Sequence, residues 1–179
     1  IRLAAGTYNL DTAFDARLTT KNLSIIGETG TILNGNGHQV LISNKDERDN
    51  TTLKFENITF TGGVMSTDHG GVIKHRNGTI IYKNCTFTGS EALRWCYSEA
   101  GKTTVFENCV IKTDSRGFHY DGMNGDVIFR NCEINGFNAY GGDGTVTFEG
   151  CTFGCDESRY NGLNIYSNTN IVNCTFNYV

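Results

Sequence analysis

Proline is absent from the 179 residues, which excludes a proline-rich stalk or linker. Charge is sparse: Asp, Glu, Lys and Arg make up 19% of the chain, and the formal net charge is −4. No basic excess points to nucleic acid or an anionic membrane as partner. No apolar run approaches the about 20 residues of a membrane-spanning helix, so membrane insertion is not expected. Tryptophan occurs once. In their place stand 22 glycines, 22 threonines and 20 asparagines, together more than a third of the residues. Turn formers plus a β-branched residue predict many short strands and tight turns. A helical bundle is excluded.

An internal repeat decides the fold. Six segments align: Leu53–Phe60, Ile80–Phe87, Thr104–Ile111, Val127–Ile134, Val146–Phe153 and Asn170–Phe176. From Ile58 through Cys85, Cys109, Cys132, Cys151 and Cys174 the motif advances by 27, 24, 23, 19 and 23 residues. A drifting period around a fixed motif predicts a solenoid whose loops absorb the variation. Each motif reads as a short strand ending in Asn, a sharp bend, and a second strand beginning Cys-x-Phe. Asn57, Asn84, Asn108, Asn131 and Asn173 sit at the bend because asparagine tolerates left-handed backbone angles. Gly150 replaces it once, and glycine tolerates them too. Stacked bend asparagines can hydrogen-bond from coil to coil.

Alternation of side chains along a strand then places the cysteine and the following Phe or Ile inward. A third strand precedes each motif. Counting back from the bend, Trp95 aligns with Phe118 and Tyr97 with Tyr120. Phe137/Ala139 and Leu163/Ile165 continue that inward pair. Residues 21–37 read as an earlier coil and residues 1–20 as part of another. The expectation is an all-β, right-handed parallel β-helix solenoid: about 7 coils of roughly 23 residues, three short strands per coil, with inward cysteine and aromatic stacks.

The run Ala4-Ala5-Gly6-Thr7-Tyr8, the Asn34-Gly35-Asn36-Gly37 turn and the repeated Asn-Cys-Thr-Phe resemble the pectin-lyase-like β-helix superfold. Within it, the chain is most similar to repeats of large bacterial adhesin-like surface proteins. The resemblance implies an extracellular or cell-surface location. It leaves activity open, since that superfold hosts lyases, hydrolases, tailspikes, adhesins and spacers alike. The chain opens and closes in strand-like sequence. It is expected to be a single domain, residues 1–179, from a longer secreted polypeptide whose neighbouring coils cover its strand edges.

Seven cysteines are present. Cys85, Cys109, Cys132, Cys151 and Cys174 share one inward position and read as a column of buried free thiols. A straight stack gives neither the disulfide dihedral nor tetrahedral metal ligation. Cys96, aligned beside His119, and Cys155, in a loop, stand apart from that column.

Enzymes of the resembled superfold place catalytic groups on the outside of one sheet. Its hydrolases carry clustered aspartates in Asn-Thr-Asp and Asp-Asp motifs, with Gly-His-Gly and Arg-Ile-Lys nearby, and none of the four occurs here. An inverting hydrolase needs two carboxyls about 6.5–9.5 Å apart, and Asp121 finds no acidic partner in the next coils. No catalytic residue or metal ligand is assigned. The outward positions of the third strand set instead read Cys96/Ser98, His119/Asp121, Asn138/Tyr140 and Asn164/Tyr166, with Arg116 close by. Amide, imidazole and carboxylate groups bordered by phenol rings suit sugar hydroxyls and ring faces. The leading expectation is a non-catalytic surface module, adhesin-like, contacting carbohydrate through His119, Asp121, Asn138, Tyr140, Asn164, Tyr166 and Arg116. The partner is a glycan or a host or cell-surface protein. A polysaccharide lyase or glycoside hydrolase is the alternative, and a phage tailspike component a further one. No cofactor is expected, although the acidic run 121–126 leaves a calcium loop as a weaker reading. The outward threonines Thr59, Thr86, Thr152 and Thr175 hint at an ice-binding ladder that Val110 and Glu133 interrupt.

Overall fold

The computed structural model describes residues 1–15, 22–44, 52–64, 73–76, 79–89, 94–98, 100–113, 118–135, 137–140, 142–154 and 163–177. In 42–44, 73–76, 94–98, 113, 118–123 and 137–140 the description is of backbone only. Numbered in chain order, the strands form three faces of a parallel β-helix. The first face is one eight-stranded sheet: β1 (Arg2–Leu3), β4 (Leu23–Gly27), β7 (Thr52–Glu56), β10 (Thr79–Lys83), β13 (Thr103–Glu107), β16 (Asp126–Arg130), β19 (Thr145–Glu149) and β22 (Asn168–Val172). The second face is also eight-stranded: β2 (Gly6–Asn9), β5 (Thr31–Asn34), β8 (Thr59–Thr61), β11 (Thr86–Gly89), β14 (Val110–Thr113), β17 (Glu133–Asn135), β20 (Thr152–Gly154) and β23 (Thr175–Asn177). The third face is in two pieces. One holds β3 (Phe14–Asp15), β6 (Leu41–Asn44) and β9 (Ile73–Arg76). The other holds β12 (Arg94–Ser98), β15 (Phe118–Met123), β18 (Phe137–Tyr140) and β21 (Leu163–Ile165). Eight strands on each long face differ slightly from the about 7 coils read from the repeat.

Register follows the repeat. On the first face Leu53 pairs with Ile80, Ile80 with Thr104, Thr104 with Val127, Val127 with Val146, and Val146 with Thr169. Each position therefore stacks on its own equivalent, and inward positions become columns. Phe55, Tyr82, Phe106, Phe129 and Phe148 stack face to face, with ring centroids 5.5, 4.9, 4.7 and 5.0 Å apart. A second column runs on the neighbouring face: Phe60 on Phe87 at 5.1 Å and Phe153 on Phe176 at 4.9 Å, with Ile111 and Ile134 between them. Rings of the two columns meet edge to face, as in Phe55–Phe60 and Tyr82–Phe87. Each such pair contributes about 0.5–1.5 kcal/mol beyond its buried area.

The cysteine column lies in the same core. Cys85, Cys109, Cys132 and Cys151 are buried, Cys174 is partly so, and all five are free thiols. The neighbouring thiols of the column, and then burial, hold the Cys109 and Cys151 thiols above their ordinary value.

The bends carry the positive φ the repeat requires: 57° at Asn57, 52° at Asn84, 53° at Asn108, 51° at Asn131, 52° at Asn173 and 64° at Gly150. The bends at Asn57, Asn84, Asn108, Asn131 and Gly150 are each tied along the stack by a main-chain N–H donated to the next coil. The main-chain N–H of Asn84 donates to Glu107 O at 2.9 Å, while its side-chain amide donates to Asn57 Oδ1 at 3.1 Å. Asn108 repeats the arrangement, donating to Arg130 O at 2.9 Å and to Asn84 Oδ1 at 3.2 Å. At Gly150 the ladder changes, because Asn131 Oδ1 lies 2.6 Å from where a Cβ would stand.

Asn108 tests this account. Alanine in its place must adopt left-handed angles, at about 1–2 kcal/mol, and it forgoes an amide bond worth about 0.5–1.5 kcal/mol. Glycine forgoes only the bond. Urea unfolding is expected to show Asn108→Ala losing about 2–3 kcal/mol and Asn108→Gly about 1 kcal/mol. Equal losses would contradict the left-handed bend as the reason for asparagine.

Candidate functional site

The third face holds the residues singled out for ligand contact. Parallel pairing of β15 with β18 sets Phe118 beside Phe137, His119 beside Asn138, Tyr120 beside Ala139, and Asp121 beside Tyr140. Pairing of β18 with β21 adds Leu163 to Phe137, Asn164 to Asn138, and Ile165 to Ala139. His119, Asn138 and Asn164 thus share one register column across three coils. Asp121 and Tyr140 share the next, and Tyr166 follows β21 at the corresponding step. Leu163 and Ile165 pack against the core. Between and after them, Asn164 is exposed and Tyr166 is 67% exposed. Arg116 and Cys155 lie outside the described residues.

The coil before these departs from the expected alignment. Arg94, not Cys96, pairs with His119; Cys96 pairs with Tyr120, and Ser98 with Met123 rather than Asp121. The expected stacking of Trp95 on Phe118 and of Tyr97 on Tyr120 fails by the same shift. The register slips between Arg94 and Cys96 and again between Cys96 and Ser98. Such an irregularity re-aims a strand without changing coil length, so a fixed count back from the bend cannot detect it.

The acidic run 121–126 is not one loop. Asp121–Met123 ends β15, and Asp126 begins β16. The Asp126 carboxylate accepts a hydrogen bond from the Thr145 N–H of the next coil at 3.0 Å. That carboxylate ties two coils together.

Two features escaped the sequence reading. The residue preceding each bend forms an outward column on the first face: Glu56, Lys83, Glu107, Arg130 and Glu149, alternating in sign. Lys83 Nζ meets Glu107 Oε1 at 2.9 Å, and Arg130 Nε meets Glu149 Oε2 at 3.3 Å. Glu56 pairs with Lys54 at 2.8 Å. A hydrogen bond from Lys54 holds the Glu56 carboxyl below its ordinary value. The stabilisation from that pair is therefore present at neutral pH and fades as pH falls through the lowered value. The signal was in the sequence, in the residue before each bend Asn or Gly.

The second feature is a corner cleft of about 360 Å³, lined by Asp11, Thr12, Ala13, Gly37, His38, Gln39 and Val64. Its wall is the Asn34–Gly37 turn packed on Gly62. A Cβ at Gly62 would collide with Asn34 Oδ1, and one at Gly35 with the His38 carbonyl oxygen. The Asn34 side-chain amide also donates to Asn9 Oδ1 at 2.8 Å. The Asn-Gly-Asn-Gly run marks the turn in the sequence, whereas the cleft exists only once three coils are stacked.

Exposed ion pairs contribute little individually, but a column of them opposes slipped registers. Lys83→Glu sets carboxylates on three consecutive rungs. It is expected to lower the melting temperature at low salt, with a smaller deficit in molar salt, where such repulsion is screened. A deficit unchanged by salt would show that the column does not act electrostatically.

Compared with known proteins, the chain matches no family model, no curated protein and no solved structure.

Proposed function

We propose that this β-helix is a non-catalytic binding module, adhesin-like and displayed outside the cell, whose third face contacts glycans. The observation that carries the reading is the register of β15, β18 and β21. His119, Asn138 and Asn164 share one register position along the stack, Asp121 and Tyr140 share another, and Tyr166 follows Ile165 in the chain. Equivalent residues recur about every 4.8 Å, close to the length of one sugar residue. A linear glycan lying along the stack would meet the same polar and aromatic contacts at each step. Planar amides bind vicinal hydroxyls, and phenol rings cover pyranose faces. The solenoid suits display, because each added coil extends a stiff surface at constant cost.

A glycan and polysaccharide array tests the reading. Specific binding is expected, together with its loss in Tyr140→Ala combined with Tyr166→Ala while the circular dichroism spectrum is kept. Binding unchanged in that variant would remove the strip as the site. New reducing ends released from a bound polysaccharide would overturn the non-catalytic assignment.

A further inference from the structure

The cysteine column has a geometry that a hydrophobic filler does not need. Cys85 Sγ lies 3.3 Å from Lys83 O and 3.6 Å from Phe55 O. Cys109 Sγ stands 3.4 Å from Glu107 O and 3.5 Å from Tyr82 O. Cys132, Cys151 and Cys174 repeat the pattern at 3.3–3.6 Å. Every sulphur thus occupies the same place in its coil. Main-chain bonds lock the spacing between coils: Val110 N–H to Cys85 O, Glu133 N–H to Cys109 O, Thr152 N–H to Cys132 O and Thr175 N–H to Cys151 O, all at 2.8–2.9 Å. Consecutive thiols therefore occupy the same core position in neighbouring coils, from Cys85 through Cys109, Cys132 and Cys151 to Cys174.

Among the described residues, no three His, Cys, Asp or Glu side chains converge to hold a metal ion. The column offers collinear pairs instead. Its rungs repeat about every 4.8 Å, close to twice a metal–thiolate bond of about 2.3 Å. Zinc wants four ligands from different directions. Soft d¹⁰ monovalent cations bind thiolates and accept two of them in a straight line.

We propose that the column is a binding site for soft monovalent cations of the copper(I) and silver(I) class, one cation between each pair of consecutive sulphurs. Uptake is a ligand exchange without redox change. Each cation forms two metal–sulphur bonds and displaces one thiol proton to solvent. Inner sulphurs bridge two cations. Five thiols hold four cations after releasing four protons, and the fifth proton stays on a terminal sulphur, so the buried column remains neutral, as an apolar core requires. Cys174, in the last coil and only partly buried, offers the entry.

Silver(I) titration of the reduced chain, in chloride-free anaerobic buffer, tests this. The background carries Cys96→Ser and Cys155→Ser, and bound silver is counted by mass spectrometry after gel filtration. The expected stoichiometry is about four per folded chain. Removing a central thiol cuts the column into isolated stretches. Cys132→Val leaves two pairs and is expected to hold about two. Cys85→Val only shortens the column and is expected to hold about three. Cys109→Val isolates Cys85 and is expected to hold about two, which preserves the test should Cys132→Val fail to fold. Equal stoichiometry in the Cys85→Val and central variants would show thiols acting singly and overturn the proposal. So would the absence of silver from the folded protein, with the circular dichroism spectrum as the check on folding.

Discussion

Every feature of this molecule depends on translation by one rung. Main-chain hydrogen bonds between coils, such as Asn57 N–H to Lys83 O and Thr86 N–H to Ile58 O, at 3.0 Å each, place the paired residues of the two long faces over their equivalents. Once that translation is fixed, similar side chains need only suit themselves. Aromatic rings stack on rings, amides bond amides, and thiols meet thiols. Charges are the exception, since like charges repel, and the outward column accordingly alternates Glu, Lys, Glu, Arg, Glu. The same rule therefore produces identity inside and alternation outside.

The bends make the translation compatible with unequal coils. The left-handed asparagine turns the chain between the first and second faces within one residue, and the Cys-x-Phe strand follows at once. Steps of 19 to 27 residues are then absorbed elsewhere in the coil while the bend geometry stays constant. Constancy at the bend keeps the thiol and aromatic columns straight. Variation elsewhere frees the third face to carry chemistry that differs from coil to coil.

That division explains what the sequence made legible. The bend asparagines, the cysteine column and the first-face register could be read because each is local to an eight-residue motif that recurs. Register along β15, β18 and β21 was legible from the apolar pairs Phe118/Tyr120, Phe137/Ala139 and Leu163/Ile165, which recur two residues apart ahead of each motif. The slip in β12 was not, because a bulge leaves the spacing of motifs intact. The charge ladder was present in the motif but appears only when residues nineteen or more positions apart are compared by sign. The corner cleft was hidden more deeply: residues 11–13, 37–39 and 64 meet only after stacking. The strip proposed for ligand contact occupies an intermediate position. Its register columns are in place, and the exposure of Asn164 and Tyr166 agrees with the alternation expected of a strand whose Leu163 and Ile165 face the core.

The most direct test of the stack is a set of through-space proton contacts in solution, measured by NMR with selectively labelled aromatic rings. One-rung translation predicts contacts of Tyr82 with Phe55 and Phe106 and of Phe129 with Phe106 and Phe148. It also predicts none between Phe55 and Phe129, which stand three rungs apart. Contacts that skip rungs, or rings that meet in an order other than 55, 82, 106, 129, 148, would contradict the parallel in-register stack and every column derived from it.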